Sequence, residues 1–301
     1  MFVGITKRKV NWIIDADIRG FFDNISHEWL MKFLEHRIAD RRMLRLLKKW
    51  LRAGVSEDGE WSPTKVGTPQ GAVISPLYAN VFLHYVLDLW INDWRKRHAK
   101  GEVIIVRYAD DFVIGFREES DARRCLAALG ERFAKFGLEL HPEKTRRIEF
   151  GRYAEERRAK RGDGPPETFD FLGFTHISGK TRRGDFTIHR KTSRKKFQAM
   201  LAKLKKELSR RRHDDLAKVG AWLQSVCRGW SQYYAVPGNY ARLRQFREAI
   251  QVMWLRILRR RSQRGRRLTW EKFSRLSRRW LPTPRILHPY PNVRFAGQHP
   301  R

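Results

Sequence analysis

Glu102 to Phe116 reads Glu-Val-Ile-Ile-Val-Arg-Tyr-Ala-Asp-Asp-Phe-Val-Ile-Gly-Phe. Val103 to Val106 and Phe112 to Phe116 are short apolar, β-branched and aromatic runs, and Tyr108-Ala109-Asp110-Asp111 between them suits a turn, so the stretch predicts a β-hairpin. Its tip carries two adjacent acids. Carboxylates this close repel unless water or a cation separates them, so the pair is either solvated at a polar turn or holding metal. Working outward, Trp12-Ile13-Ile14-Asp15-Ala16-Asp17-Ile18 predicts another strand, which delivers Asp17 just ahead of Arg19-Gly20-Phe21-Phe22, where the glycine permits a tight backbone path. A third carboxylate is thus available. Hard oxygen ligands on two strands are what Mg²⁺ needs when substrate phosphates complete its coordination. Two such ions roughly 3.5–4 Å apart activate an attacking hydroxyl and neutralise a leaving phosphate. That is the chemistry of nucleotide transfer.

Between the two acidic strands lies Gly67-Thr68-Pro69-Gln70-Gly71-Ala72-Val73-Ile74-Ser75-Pro76-Leu77, followed by a helical pattern through Arg97. In order, Asp17 with Phe22, then Thr68-Pro69-Gln70-Gly71, then Tyr108-Ala109-Asp110-Asp111, the chain resembles the reverse transcriptases encoded by group II introns, also called intron maturases. The resemblance runs from about Trp12 to about Arg260. It implies an α+β right-hand polymerase palm, an antiparallel sheet backed by helices, followed by an all-α three-helix thumb or maturase domain. The expected boundaries are 1–190 for the palm, 191–262 for the thumb and 263–301 for a basic, Pro-containing extension.

The resemblance also implies roles. Asp17, Asp110 and Asp111 are the catalytic acids, and with Ile18 they form the metal site for two Mg²⁺ ions, Mn²⁺ being a possible substitute. Arg19, Gly20, Phe21, Phe22, Gln70, Gly71 and Lys144 are the nucleotide-binding positions. Phe22 would lie beneath the nucleotide sugar, where its ring clashes with a 2′-hydroxyl, and Lys144 would donate a proton to pyrophosphate. Tyr108, Leu172, Gly173, Arg228, Trp230 and Tyr233 would touch nucleic acid, Leu172 and Gly173 from a hairpin that grips the primer terminus. The implied partners are an intron RNA template, a DNA or RNA primer and deoxynucleoside triphosphates. A fingers region would precede the first catalytic strand in such enzymes. Here that strand begins almost at the first residue, so a fragment, a shortened gene product and a second chain supplying the part are all open. A C-terminal DNA endonuclease, with its Cys pairs or His-Asn-His pattern, is not expected.

Composition points the same way. The 301 residues carry a formal net charge of +32, which predicts a polyanionic partner, most simply nucleic acid. Residues 1–150 hold 26 Lys and Arg against 21 Asp and Glu, a net of +5, and 151–301 hold 38 against 11, a net of +27. The second half therefore carries the polyanion signal. Acidic membrane is the competing partner, but no apolar run reaches the roughly 18–20 residues of a span and Met1 to Val10 has no apolar centre, so a cytoplasmic protein is expected. Cys125 and Cys227 stand far apart in apolar helical patterns and read as buried thiols.

Hydrophobic spacing predicts helices from Ser26 to Ile38, Arg41 to Arg52, Leu77 to Arg97 and Ser120 to Gly137, with Ser26 and Ser120 as caps. Gly54 to Thr64 reads as a turn or hairpin, Leu138 to Phe150 as strand and turn, Gly151 to Glu167 as a charged loop, and Phe169 to His176 as a return to apolar character. From Thr192 three helical stripes follow, ending near Ile257, and the Pro-containing tail reads as extended. Two further readings stay open beside the polymerase: an RNA-binding splicing cofactor that performs no chemistry, and an inactive truncated remnant. Neither oligomeric state nor the cognate intron can be read from the chain.

Overall fold

The computed structural model describes residues 1–298 apart from 54, 58–59, 63–66, 69–71 and 182. The chain divides into two compact units, residues 3–167 and 168–301. In the first, α1 (Phe2–Lys7) leads into β1 (Trp12–Ala16), a 3-10 turn (Phe21–Asp23), α2 (His27–Glu35) and α3 (Arg41–Leu51). A small hairpin of β2 (Val55–Glu57) and β3 (Glu60–Ser62) precedes α4 (Ser75–Leu83), a π-helical turn (His84–Asp88) and α5 (Leu89–Arg97). Then come β4 (Val103–Tyr108), β5 (Asp111–Phe116), α6 (Glu119–Ala134), β6 (Arg146–Glu149) and α7 (Ala154–Lys160).

The main sheet has the order β4-β5-β1-β6, and every pairing is antiparallel. The expected hairpin is β4–β5, closed by the pair Tyr108–Asp111 with only Ala109 and Asp110 between. Alternation along the strands sends Ile14, Ala16, Phe112, Ile114 and Phe116 into one core with Leu30 and Leu34 of α2, Phe82 of α4 and Phe133 of α6. Helices cover this face. On the other face Gly115 admits Val10 and Ile104, since a Cβ there would stand 2.9 Å from each side chain.

Ser26 caps α2 as the sequence predicts, accepting from the Trp29 amide. Three expectations for this unit are corrected. Glu118, not Ser120, holds the N-cap position of α6; the Asp121 carboxylate in its first turn accepts the Lys100 and Gly101 amides instead. The single helix expected over 77–97 is interrupted by the π-helical turn, whose Tyr85 and Val86 carbonyls accept from the Arg132 guanidinium. The expected loop after Gly151 contains α7, a seven-residue helix with acids in its first turn and bases in its last, the order the helix dipole favours.

The second unit opens with a three-stranded antiparallel sheet, β7 (Phe169–Phe171), β8 (Phe174–Lys180) and β9 (Phe186–Thr192). The helices α8 (Arg194–Arg210), α9 (Leu216–Tyr234) and α10 (Tyr240–Arg259) follow, then α11 (Gln263–Arg266), α12 (Trp270–Trp280) and α13 (Pro291–Gln298). The division between the units falls before β7. The tail is not simply extended. Thr269 caps α12, Phe273 is fully buried edge-on to Trp254 at 5.6 Å, and Ser277 accepts a buried hydrogen bond from Gln251 at 2.9 Å. Thus α12 joins the three expected helices in one core. Cys125 and Cys227 are buried and free, and burial pushes both thiols up to about 12. No described helix is long and apolar enough to cross a membrane.

Candidate active site

The ladder between β1 and β5 pairs Asp15 with Val113 and Ala16 with Phe112; continued one step, it opposes Asp17 to Asp111. Paired residues of an antiparallel ladder share a face and lie roughly 4.5–5.5 Å apart at Cα. Asp15, Asp17 and Asp111 thus project from the face opposite the helix-packed core, at one end of the strands. Tyr108, paired with Asp111, shares that side and is 68% exposed. Asp110 occupies the two-residue turn itself, directly after Ala109, whose φ of +55° lies in the left-handed region that alanine disfavours.

A third strand end completes the cluster. The Lys144 ammonium stands 2.9 Å from Asp17 Oδ2, and Arg146 reaches Asp15 at 3.4 Å. The segment around Lys144 wraps the backbone of Asp17, whose carbonyl accepts from the His141 amide at 2.8 Å. Among the described residues no three His, Cys, Asp or Glu side chains stand close enough to hold a metal ion together. The donor set is nevertheless of the chemistry that suits a hard cation: carboxylate oxygens alone, from half-buried Asp17 and Asp110 and exposed Asp111, with an ammonium already resting on Asp17. Ile18 buries its side chain in the core, so only its main chain is available to a ligand.

The loop after β1 is built on Gly20, whose φ of +53° lets the Asn24 amide close the turn on the Arg19 and Gly20 carbonyls. Arg19 pairs weakly with exposed Glu139. Phe21, expected among the nucleotide contacts, is a core residue at 3% exposure and supports the half-buried Phe22 ring edge-on at 5.4 Å. Gly67 and Thr68 are stitched to this loop: the Thr68 amide donates to the Phe22 carbonyl at 2.7 Å, the Gly67 amide to the Ile25 carbonyl at 2.9 Å, and His27 Nε2 meets the Gly67 carbonyl at 2.6 Å. A Cβ on Gly67 would lie 2.7 Å from the carbonyl oxygens of both Phe22 and Asp23. The sequence gives no hint of this contact beyond the glycine itself. Gln70 and Gly71 lie outside the described residues.

In the second unit three of the expected nucleic-acid contacts converge. Leu172 and Gly173, at φ +49° and +75°, form the two-residue turn between the paired Phe171 and Phe174. The Tyr233 hydroxyl donates to the Leu172 carbonyl at 2.9 Å while its ring stacks on Phe174. Arg228 is exposed on α9. Trp230, expected on the same surface, is instead packed on Phe246 at 4.5 Å and Tyr234 at 4.1 Å in the helical core.

Fold and site together define a class: a mixed α+β protein that gathers carboxylates at one end of an antiparallel sheet. Residues 4–176 match the family described as Reverse transcriptase (RNA-dependent DNA polymerase), and the chain belongs to that family. The group II intron-encoded protein LtrA of Lactococcus lactis subsp. cremoris is 44% identical over 82 residues, covering 26% of this chain and 14% of that protein. The putative COX1/OXI3 intron 1 protein of Saccharomyces cerevisiae is 30% identical over 183 residues, 45% of this chain and 22% of that one. Protein YkfC of Escherichia coli is 28% identical over 207 residues, 59% and 50% respectively. The match thus spans half or less of each relative. The resemblance to group II intron-encoded reverse transcriptases is borne out.

Proposed function

We infer that this chain carries out RNA-directed DNA synthesis, adding deoxynucleotides to a primer 3′-end, and also binds intron RNA to assist its splicing. The observation that carries this reading is the β1–β5 ladder, whose last pair, Ala16 with Phe112, stands next to Asp17 and Asp111, together with Asp110 in the adjoining turn and the Lys144 cation against Asp17. Asp17, Asp110, Asp111 and the main chain of Ile18 would hold two Mg²⁺ ions, or Mn²⁺ in their place. When bound, such ions activate the primer hydroxyl and neutralise charge on the triphosphate.

The chain's own residues supply the positioning. Lys144, held 2.9 Å from Asp17, would protonate the pyrophosphate, and Asp17 would be one of the residues holding an ion. Phe22, fixed by Gly67 and Thr68, presents its ring to the sugar and disfavours a 2′-hydroxyl. Residues 1–190 act as the palm and 191–262 as the thumb. The turn of Leu172 and Gly173, braced by Tyr233, grips the primer, and Arg228 with the strongly basic second half holds RNA phosphates.

Primer extension on an RNA template by these 301 residues tests the reading. Asp110→Ala and Asp111→Ala are expected to abolish incorporation while RNA affinity stays within about twofold, since phosphate contacts dominate binding. Normal rates in those variants would end it. The second reading, an RNA-binding splicing cofactor without chemistry, is favoured by the net charge of +27 in residues 151–301. It predicts no incorporation by the unmodified chain and full splicing stimulation by the Asp110→Ala protein.

A further inference from the structure

A charged side chain on the core-facing side of a strand needs a partner that meets it there. Arg107 is such a residue: it pairs with Phe112 in the β4–β5 ladder, on the face turned toward the helices, and its side chain is 14% exposed. Its guanidinium takes both carboxylate oxygens of Asp88, Nε to Oδ1 at 2.8 Å and Nη2 to Oδ2 at 2.5 Å. The remaining nitrogen, Nη1, donates to the Ala109 carbonyl at 2.8 Å and to Asn80 Oδ1 at 2.9 Å. Asp88 ends the π-helical turn, so the widened turn sets where its carboxylate falls. Ala109 is the left-handed residue that aims the turn, and Asp110 follows it directly.

One side chain thereby ties the carbonyl of the disfavoured residue to two helical anchors. We propose that Arg107, oriented by Asp88, is a positioning residue that holds the Tyr108–Asp111 turn, and with it the carboxylates of Asp110 and Asp111, in the arrangement that the polymerase reading requires. The geometry uses the flat fork of an arginine. A lysine keeps the charge but cannot hold Asp88 at two points and reach the Ala109 carbonyl as well.

Arg107→Lys and Asp88→Asn test the proposal in the full chain. Hydrogen exchange, read without RNA, nucleotide or metal, is expected to quicken about tenfold or more at the amides of residues 109–112, with β1 and α6 unchanged. In single-nucleotide incorporation, kcat should fall about tenfold or more while KM for the nucleotide and RNA affinity move by less than about twofold, as for groups that orient a ligand rather than touch substrate. Unchanged exchange in both variants overturns the proposal. So does loss of protection through the whole sheet, which would make the pair a strut of the fold rather than of the turn. Should the unmodified chain incorporate nothing, the exchange result still decides the proposal, and only the polymerase reading falls.

Discussion

Gly67→Ala separates two physical costs at the joint between the Phe22 loop and the Thr68 segment. The residue has φ +84°, and a left-handed Cβ costs about 1–2 kcal/mol. The added carbon would also stand 2.7 Å from two backbone carbonyl oxygens and 2.8 Å from Asp23 Cα, atoms that cannot swing aside as a side chain does. Overpacking of that kind adds about 1–3 kcal/mol. The sum of about 2–5 kcal/mol corresponds to a fall of about 5–15 °C in the melting temperature of a unit this size. Gly137→Ala is the control: φ is +76° but nothing lies within 4 Å of its Cβ, so only the backbone cost, about 1–2 kcal/mol, applies. Melts followed by circular dichroism should therefore rank Gly67→Ala well below Gly137→Ala. Nucleotide KM should rise in the former more than RNA affinity falls. Equal melts for the two variants would refute the claim that Gly67 is required by backbone contact.

Three further outcomes are expected. Tyr233→Phe removes the hydrogen bond to Leu172 but keeps the stack on Phe174; it should cost about 0.5–1.5 kcal/mol and weaken primer use, and an unchanged KM for primer would count against the clamp. Burial, reinforced by Arg190, pushes His176 down to about 4 from its ordinary 6.5. The unfolded chain then binds the proton first, so stability falls as pH drops from about 6.5 to about 4, by about 3 kcal/mol, and is flat above; denaturant melts of His176→Phe should lose that slope. RNA affinity should drop steeply with salt, linear on a log–log plot, and a slope near zero would remove the case for phosphate neutralisation by the basic second half.

What was legible in the sequence was what alternation and local turns decide. The hairpin at 103–116, the strand over Trp12 to Ile18, which the structure ends at Ala16, and the main helices are legible from spacing, because each buries one face against a single layer. Spacing does not reveal the strand β9 or the helix α12. The first alternates imperfectly between two edges of surface, and the second carries its core residues Phe273 and Ser277 among many arginines, just ahead of the prolines that mark the tail as extended. At the site, the acids were readable but their supports were not. Gly67 depends on a loop more than forty positions upstream, and the π-helical turn on Arg132. Arg107 does leave a trace: a charge in an apolar strand, at the same parity as buried Val103. Phe21 and Trp230 show the converse, aromatics beside a motif that pack inward because the core needs them.

Divalent-ion binding reports most directly on whether the acid after β1 works with the two in the turn. Mn²⁺ binding followed by electron paramagnetic resonance, in the presence of a deoxynucleoside triphosphate and primed RNA, should be weakened about tenfold or more by each of Asp17→Asn and Asp110→Asn, with the double variant little worse than either alone. Binding that is untouched by Asp17→Asn, or losses that simply add, would mean that the two strands do not share an ion.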